Sequence, residues 1–521
     1  MKGQPFVKNG KTLLSHEPHR RAERIADAVP VSDKTLYFCP SPLYGYGLER
    51  LLSRLENTPD SAVLCAEADP EIYNLSIENI PSLILHNKKF HITEASGGAE
   101  LASAVRDKWG MSAFRRIEVV RLTGGWQLHA QLYSSLCDTL RREIANDWSN
   151  AFTLAKLGRL YIRNFFRNLA LVPQFPSIAE LSFGSAPVLV LGAGPTLDEI
   201  LDAAGNPVNR NFKIICVDTC IGSLKDRGII PDLVVILESQ HWNLRDFTGC
   251  YGWNVPSAVD MSALPSSARL LGGLGYLFFT PWTQLKVFGR LKKIGLLPAV
   301  IPPLGSVGLT AVEIARRLTS GKIICAGLDF SFTCDKFHAR GTPGHRTRLR
   351  TQTRLQSLIN NAAFASGVFS AVSKLGVSVY TNPAMKNYRD LFEREFSEDK
   401  RVFDIEGSGL SLGVKTLSLK EAINELGIKN FTAENTEEKK ERFNSDLQLF
   451  LNDERKNLKE LRNILTGDIE MDKDRLNVLL DECDYLWAHF PDCSGGRHPD
   501  FEDVSFLKRV RMEIDPMLKL M

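Results

Sequence analysis

Between about residues 185 and 381 the chain repeats one pattern, a short unbroken run of aliphatic and β-branched residues followed by a helix-like segment. The runs are residues 187–191, 212–217, 233–237, 269–271, 276–279, 322–326 and 377–380. Strands that are apolar at every position, not every second one, are covered on both faces, and the segments between them supply the cover. The pattern predicts an α/β fold with a central, doubly wound, Rossmann-like parallel sheet.

On either side the pattern changes. Residues 35–39 and 62–66 bracket a helix-like 48–55, which predicts a separate α/β accessory domain. From Leu128 to Leu171 apolar residues (Trp148, Phe152, Leu154, Leu157, Tyr161, Phe165, Leu169) recur at spacings near three and four, so a helical connector is expected. Arg159, Arg163 and Arg167 recur on another face of it and read as solvated charge. Beyond Leu417 the chain is charge-rich. One stripe (Phe443, Leu447, Phe450, Leu458, Leu461, Leu465) stops at Gly467, and another (Leu476, Leu480, Cys483, Trp487, Phe490) stops at Pro491. Two antiparallel amphipathic helices are expected there, packed on the body or on a partner. The expected domains are 1–125 (accessory α/β), 126–184 (helical connector), 185–400 (nucleotide-binding and catalytic) and 401–521 (helical).

Composition narrows the function classes. Lys plus Arg number 64 against 61 Asp plus Glu, a net charge of +3, which argues against a dedicated nucleic-acid binder or a polybasic membrane protein. The 10 cysteines are scattered without a CxxC pair, several inside apolar runs, as reduced buried thiols are. Cys216 and Cys220 lack a second ligand pair for zinc. The polar N-terminus and the lack of a long apolar run predict a soluble, cytoplasmic protein without a membrane span.

The chemistry gathers at the ends of the central strands. Leu191-Gly192-Ala193-Gly194-Pro195-Thr196-Leu197-Asp198 follows the first strand directly. Glycines permit close backbone approach, Pro195 suits a helix start, and a helix start favours a phosphate. The third glycine of the dinucleotide fingerprint is missing, and no P-loop Gly-Lys-Ser/Thr is present. Asp218 closes the next strand, where a ribose-binding acid belongs, and Glu238 closes the one after; Asp232 opens that strand and reads as a cap. Gly305-Ser306-Val307-Gly308-Leu309-Thr310 opens another helix, either as an anion cradle or as ordinary capping. After residues 322–326 come Asp329, His338 and Arg340 on a loop, the histidine readable as general acid or base or as structural. His345, Arg346, Arg348 and Arg350 can hold acidic substrate groups or form an exposed basic loop. Gly45-Tyr46-Gly47 with Glu67 gives a weaker nucleotide signature, which reads first as a tight turn.

Taken in order, Gly192-Ala-Gly194-Pro195-Thr196-Leu197, Asp218-Thr219, Gly228-Ile-Ile-Pro231-Asp232, Gly305 to Ala311, Gly327-Leu-Asp329 and His338-Ala-Arg-Gly341-Thr342 resemble the motility accessory factors, and Gly45-Tyr-Gly47 with Glu67 resembles their N-terminal domain. The central part of that family shares the domain named after an archaeal 6-hydroxymethylpterin pyrophosphokinase. The resemblance implies a central fold similar to bacterial sialyltransferases. It implies transfer of a nonulosonic (sialic-acid-like) sugar from a CMP donor to Ser or Thr of flagellin before export. By the same likeness Gly192, Gly194, Pro195, Thr196 and Asp218 bind the nucleotide, Ser306 and Thr310 line the donor site, and His338 is acid or base. From their own positions at strand ends, Glu238 is placed with the nucleotide-binding residues, and Asp329, clustered with His338, with the catalytic ones. Leu309 stands where members often carry His. The CMP-sugar is a substrate, no resident cofactor or metal ligand is called for, and Mg2+ is left open. Two rival readings remain: pyrophosphoryl transfer from ATP to a pterin alcohol, with Mg2+ on Asp218, Asp232 and Asp329, and a non-catalytic flagellin-binding scaffold.

Overall fold

The computed structural model describes residues 6–94, 97–204, 210–355, 361–426, 442–469, 472–493 and 499–521. It divides into two compact units, Met1–Gly158 with Trp487–Asp500, and Arg159–Leu486 with Phe501–Met521. The expected connector is therefore no domain of its own: the helix Ala130–Asn168 gives its first part to one unit and its last to the other.

In the first unit a hairpin, β1 (Phe6–Lys8) with β2 (Lys11–Leu14), accompanies a parallel four-stranded sheet. The sheet comprises β3 (Thr35–Pro40), β4 (Ala62–Glu67), β5 (Phe90–Glu94) and β6 (Arg116–Val119), in the order β5-β4-β3-β6. Every residue of β3 and β4 is buried, as their unbroken apolar runs require.

The second unit holds an eight-stranded sheet, parallel throughout. Its strands are β7 (Val188–Leu191), β8 (Lys213–Val217), β9 (Leu233–Ile236), β10 (Val255–Asp260), β11 (Gly272–Phe278) and β12 (Ile323–Ala326). A hairpin, β13 (Phe369–Val372) with β14 (Ser378–Thr381), is followed by β15 (Val402–Ile405) and β16 (Lys415–Leu417), which rejoin the sheet. The order β11-β10-β9-β8-β7-β12-β15-β16 starts at β7, runs outward to β11, and returns to β12 on the other side. Residues 401–417 thus belong to the central sheet and not to a helical tail. The expected strand at 377–380 lies instead in the antiparallel hairpin, and the expected run at 269–271 is a turn leading into β11.

On the helix Ala130–Asn168, Phe165 and Leu169 are fully buried but Phe152 is exposed, and Arg159 reaches Glu513 at 2.8 Å. In the helix Arg442–Thr466, Leu447, Phe450, Leu458 and Leu461 are buried, so this stripe is used inside the protein; the side chain of Phe443 lies outside the described residues. Asp472 caps the next helix through the amides of Asp474 and Arg475. Nine cysteines are buried and Cys334 is exposed. Among the described residues no helix is long and apolar enough to cross a membrane.

Candidate functional site

In an open parallel sheet, ligands bind beyond the strand C-termini where the order reverses. Here that point lies between β7 and β12, whose following loops carry Gly192–Thr196 and Gly327–Asp329. The two loops are stitched together. Gly192 N donates to Ala326 O at 2.8 Å, and Gly194 N to Gly327 O at 2.8 Å. Asp329 accepts from Thr196 N at 2.8 Å and Thr196 Oγ1 at 2.5 Å. A Cβ on Gly192 would overlap the Gly327 carbonyl oxygen, and one on Gly194 the Asp329 carboxylate.

These contacts revise the phosphate cradle expected at this loop. The amides of Gly192, Gly194, Thr196 and Leu197 all have protein acceptors, and Pro195 has no N–H. The glycines are small so that one loop can approach another. Asp329, 3% exposed, is the tie between them and a positioning residue rather than one at the reacting atoms; burial raises its pKa while the Thr196 donors oppose the rise.

The histidine loop lies across the glycine loop. Ala339 N donates to Ala193 O at 3.0 Å, and Lys336 Nζ reaches Pro195 O and Asp198, both at 2.7 Å. His338 Nδ1 stands 3.2 Å from Ala193 O. A carbonyl can only accept, so Nδ1 carries the proton and Nε2 keeps a lone pair. Burial holds the imidazole pKa below its ordinary value. A neutral histidine with a basic Nε2 thus sits at the switch point. The neighbouring arginines are committed elsewhere: Arg340 pairs with Asp202, and its amide bonds Asp198, while Arg346 pairs with Asp226 at 2.7 Å.

Beside this point, Asp218 is 3% exposed, and both its oxygens are used, Oδ1 by Thr219 N at 2.8 Å and Oδ2 by Asn243 Nδ2 at 2.7 Å. Burial pushes its pKa to about 6, and that of Asp246, which shares Asn243, to about 7. Its expected role as a ribose ligand gives way to a structural one, since Asp218 fixes the turn His241–Arg245 over the strand ends. Trp242 on that turn is 56% exposed, its ring 4.2 Å from that of His241 and 5.3 Å from the Arg245 guanidinium. Glu238 is exposed, with Oε1 accepting from Gln240 N at 2.9 Å.

The helix Val307–Leu318 begins at Ser306, which makes no side-chain capping bond. A Cβ on Gly308 would come 2.6 Å from Leu328 Cδ2, so this helix start abuts the β12 loop. Thr310 is fully buried and its hydroxyl returns to Ser306 O at 3.1 Å, which removes it from the donor-lining set. Among the described residues no three His, Cys, Asp or Glu side chains converge to hold a metal ion. Asp232, the third acid of a pterin-kinase reading, is held by Arg210 at 2.6 Å and Lys213 at 3.1 Å.

Several supporting residues escaped the sequence reading. Asn164 and Asn168, one helical turn apart, donate to Ser239 O and Ser262 O, and to Met261 O and Ala263 O, at 2.9–3.1 Å, holding the loops after β9 and β10. Buried Lys374 pairs with Asp404 at 2.6 Å behind Asp329, and Gly407 and Gly409 approach Thr196 and Asp329. Two asparagines at i and i+4 on an apolar face were a readable signal; the lysine pair, formed across a hairpin, was not.

With this geometry in view, residues 163–335 match the family model described as 6-hydroxymethylpterin diphosphokinase MptE-like. Over that stretch the chain is similar to the MptE-like domain. Across 100% of its length it also superposes on 90% of the MAf glycosyltransferase from Magnetospirillum magneticum AMB-1, with a TM-score of 0.58 and 14% identity, and so shares its fold. An uncharacterized protein of Treponema pallidum (strain Nichols) is 29% identical over 523 residues, covering 96% of this chain and 90% of that one. The MptE-like domain contains the glycine loop, Asp218, Glu238, Ser306, Thr310 and Asp329, and ends just before His338.

Proposed function

We propose that the protein is a glycosyltransferase moving a nonulosonic sugar from a CMP donor to a Ser or Thr hydroxyl of flagellin in the cytoplasm. The observation that carries this reading is His338, neutral and held through Nδ1 at the switch point of a fold shared with the MAf glycosyltransferase. Nε2 takes the proton from the acceptor hydroxyl. The freed oxygen bonds the anomeric carbon as the bond to the CMP phosphate breaks, and CMP leaves with that electron pair. With the amides of Gly192, Gly194, Thr196 and Leu197 engaged, the phosphate falls to the helix start at Ser306, which has no side-chain cap and whose dipole favours an anion. Glu238 borders the donor nucleoside, and Asp329, through Thr196, keeps the glycine loop under His338.

The MptE-like description favours a second reading, pyrophosphoryl transfer to a pterin alcohol. Its three metal-binding acids, Asp218, Asp232 and Asp329, are each occupied by protein donors, which supports the first reading. Full-length protein incubated with flagellin and a CMP-nonulosonate should add the sugar's mass to flagellin. His338→Asn, whose side-chain amide can replace Nδ1–H as the donor to Ala193 O, should lower the rate about a hundredfold or more with an unchanged melting temperature. In the parent, kcat/KM should rise with pH through a value below that of an ordinary histidine, as the base deprotonates. AMP release from ATP and hydroxymethylpterin, with flagellin left unmodified, would overturn the proposal.

A further inference from the structure

The four-stranded sheet of the first unit has its own point of reversal, since β4 and β5 lie on one side of β3 and β6 on the other. A cavity of about 120 Å³ opens there. Phe38 and Pro40 of β3 and Val119 of β6 form its floor, with Cys137 of the long helix on its apolar side. Its polar groups are Arg121, Arg141, Tyr133 and Ser134.

Two features of this wall select a ligand. The Arg121 guanidinium lies flat on the Trp126 ring, 4.5 Å from its centroid, and no carboxylate pairs with it among the described residues. Arg141 meets only Asp138, 3.1 Å away and 54% exposed like Arg141 itself, a pair that solvent weakens. Both guanidinium-bearing residues line the cavity together with Cys137. Glu67 is 1% exposed and its Oε1 accepts from Tyr133 Oη at 2.9 Å and Ala68 N at 3.0 Å; burial raises its pKa while these donors oppose the rise. Size sets the other bound, since an apolar cavity of about 150 Å³ holds one benzene ring.

We infer that this cavity binds a single-ring ligand carrying one anionic group, a carboxylate or a phosphate monoester, with the ring on the Val119 and Trp126 surfaces and the anion between Arg121 and Arg141. The site is separate from the crevice of the MptE-like domain and does not depend on the transferase reading. It also does not use Gly45 and Gly47. A Cβ at Gly45 would meet Ile80, and one at Gly47 would meet Ala22 O, so those glycines serve packing.

The test is calorimetric titration of the full chain with benzoate, phenyl phosphate, benzyl alcohol and inorganic phosphate. One ring anion or both should bind saturably, which also distinguishes carboxylate from phosphate. The neutral ring and the ringless anion should each bind about tenfold more weakly or worse. Arg121→Gln and Arg141→Gln should each weaken the ring anion about tenfold, and Arg141, exposed, can be changed without loss of fold. No saturable binding of either ring anion, unchanged affinity in both variants, or inorganic phosphate binding as tightly as phenyl phosphate would overturn the inference.

Discussion

The two units carry two glycine loops that look alike in sequence and follow the first strand of a parallel sheet at its point of reversal. They differ in what fills the space beside the glycines. In the smaller unit Gly45 and Gly47 are pressed by Ile80 and by the helix bearing Ala22, and the reversal point opens away from them, toward Arg121. In the MptE-like domain Gly192 and Gly194 are pressed by the loop after β12, which is itself part of the crevice. The lesson is that Gly-x-Gly after a strand reports a close backbone neighbour, and that neighbour can be protein as readily as phosphate.

The sharpest way to break this comparison is Gly192→Ala. Its Cβ would overlap the Gly327 carbonyl, a backbone atom at a sheet centre, so a loss of about 4 kcal/mol is expected in urea unfolding. A loss under about 1 kcal/mol would mean the two loops are not locked, and would return the glycine to a ligand. Gly47→Ala should cost less, about 2–3 kcal/mol, from a φ of 81° and a Cβ 2.8 Å from Ala22 O. The smallest effect concerns two buried acids of the larger sheet. Asp218 and Asp260, each near a pKa of about 6, bind protons in the folded state that the unfolded chain releases. Their contribution is therefore fully present below about pH 4 and lost as pH rises through about 6. The melting temperature should lose this contribution between about pH 4 and 6.5, and Asp260→Asn should remove its share of that fall; an unchanged slope would mean Asp260 titrates normally.

The α/β architecture was legible because buried parallel strands leave unbroken apolar runs. β10 escaped because Pro256 breaks its run, yet the strand forms, with its pairing to β11 skipping from Val255 to Ser257. β15 and β16 escaped because Asp404 and Thr416 interrupt short strands, the former satisfied by Lys374. The site was half legible. Position at strand ends picked out Asp218, Asp329 and His338, which lie on the loops after β8 and β12, but position does not reveal burial. Burial, together with donors such as Thr196 and Asn243 far away in sequence, turns the two acids into ties.

Cys334, exposed while nine other thiols are buried, stands on the loop that carries His338. A thiol-reactive fluorophore added to the unmodified chain would therefore attach at one place only. Its emission would report, in real time, what that loop does when a nucleotide sugar arrives, without any cysteine having to be removed first.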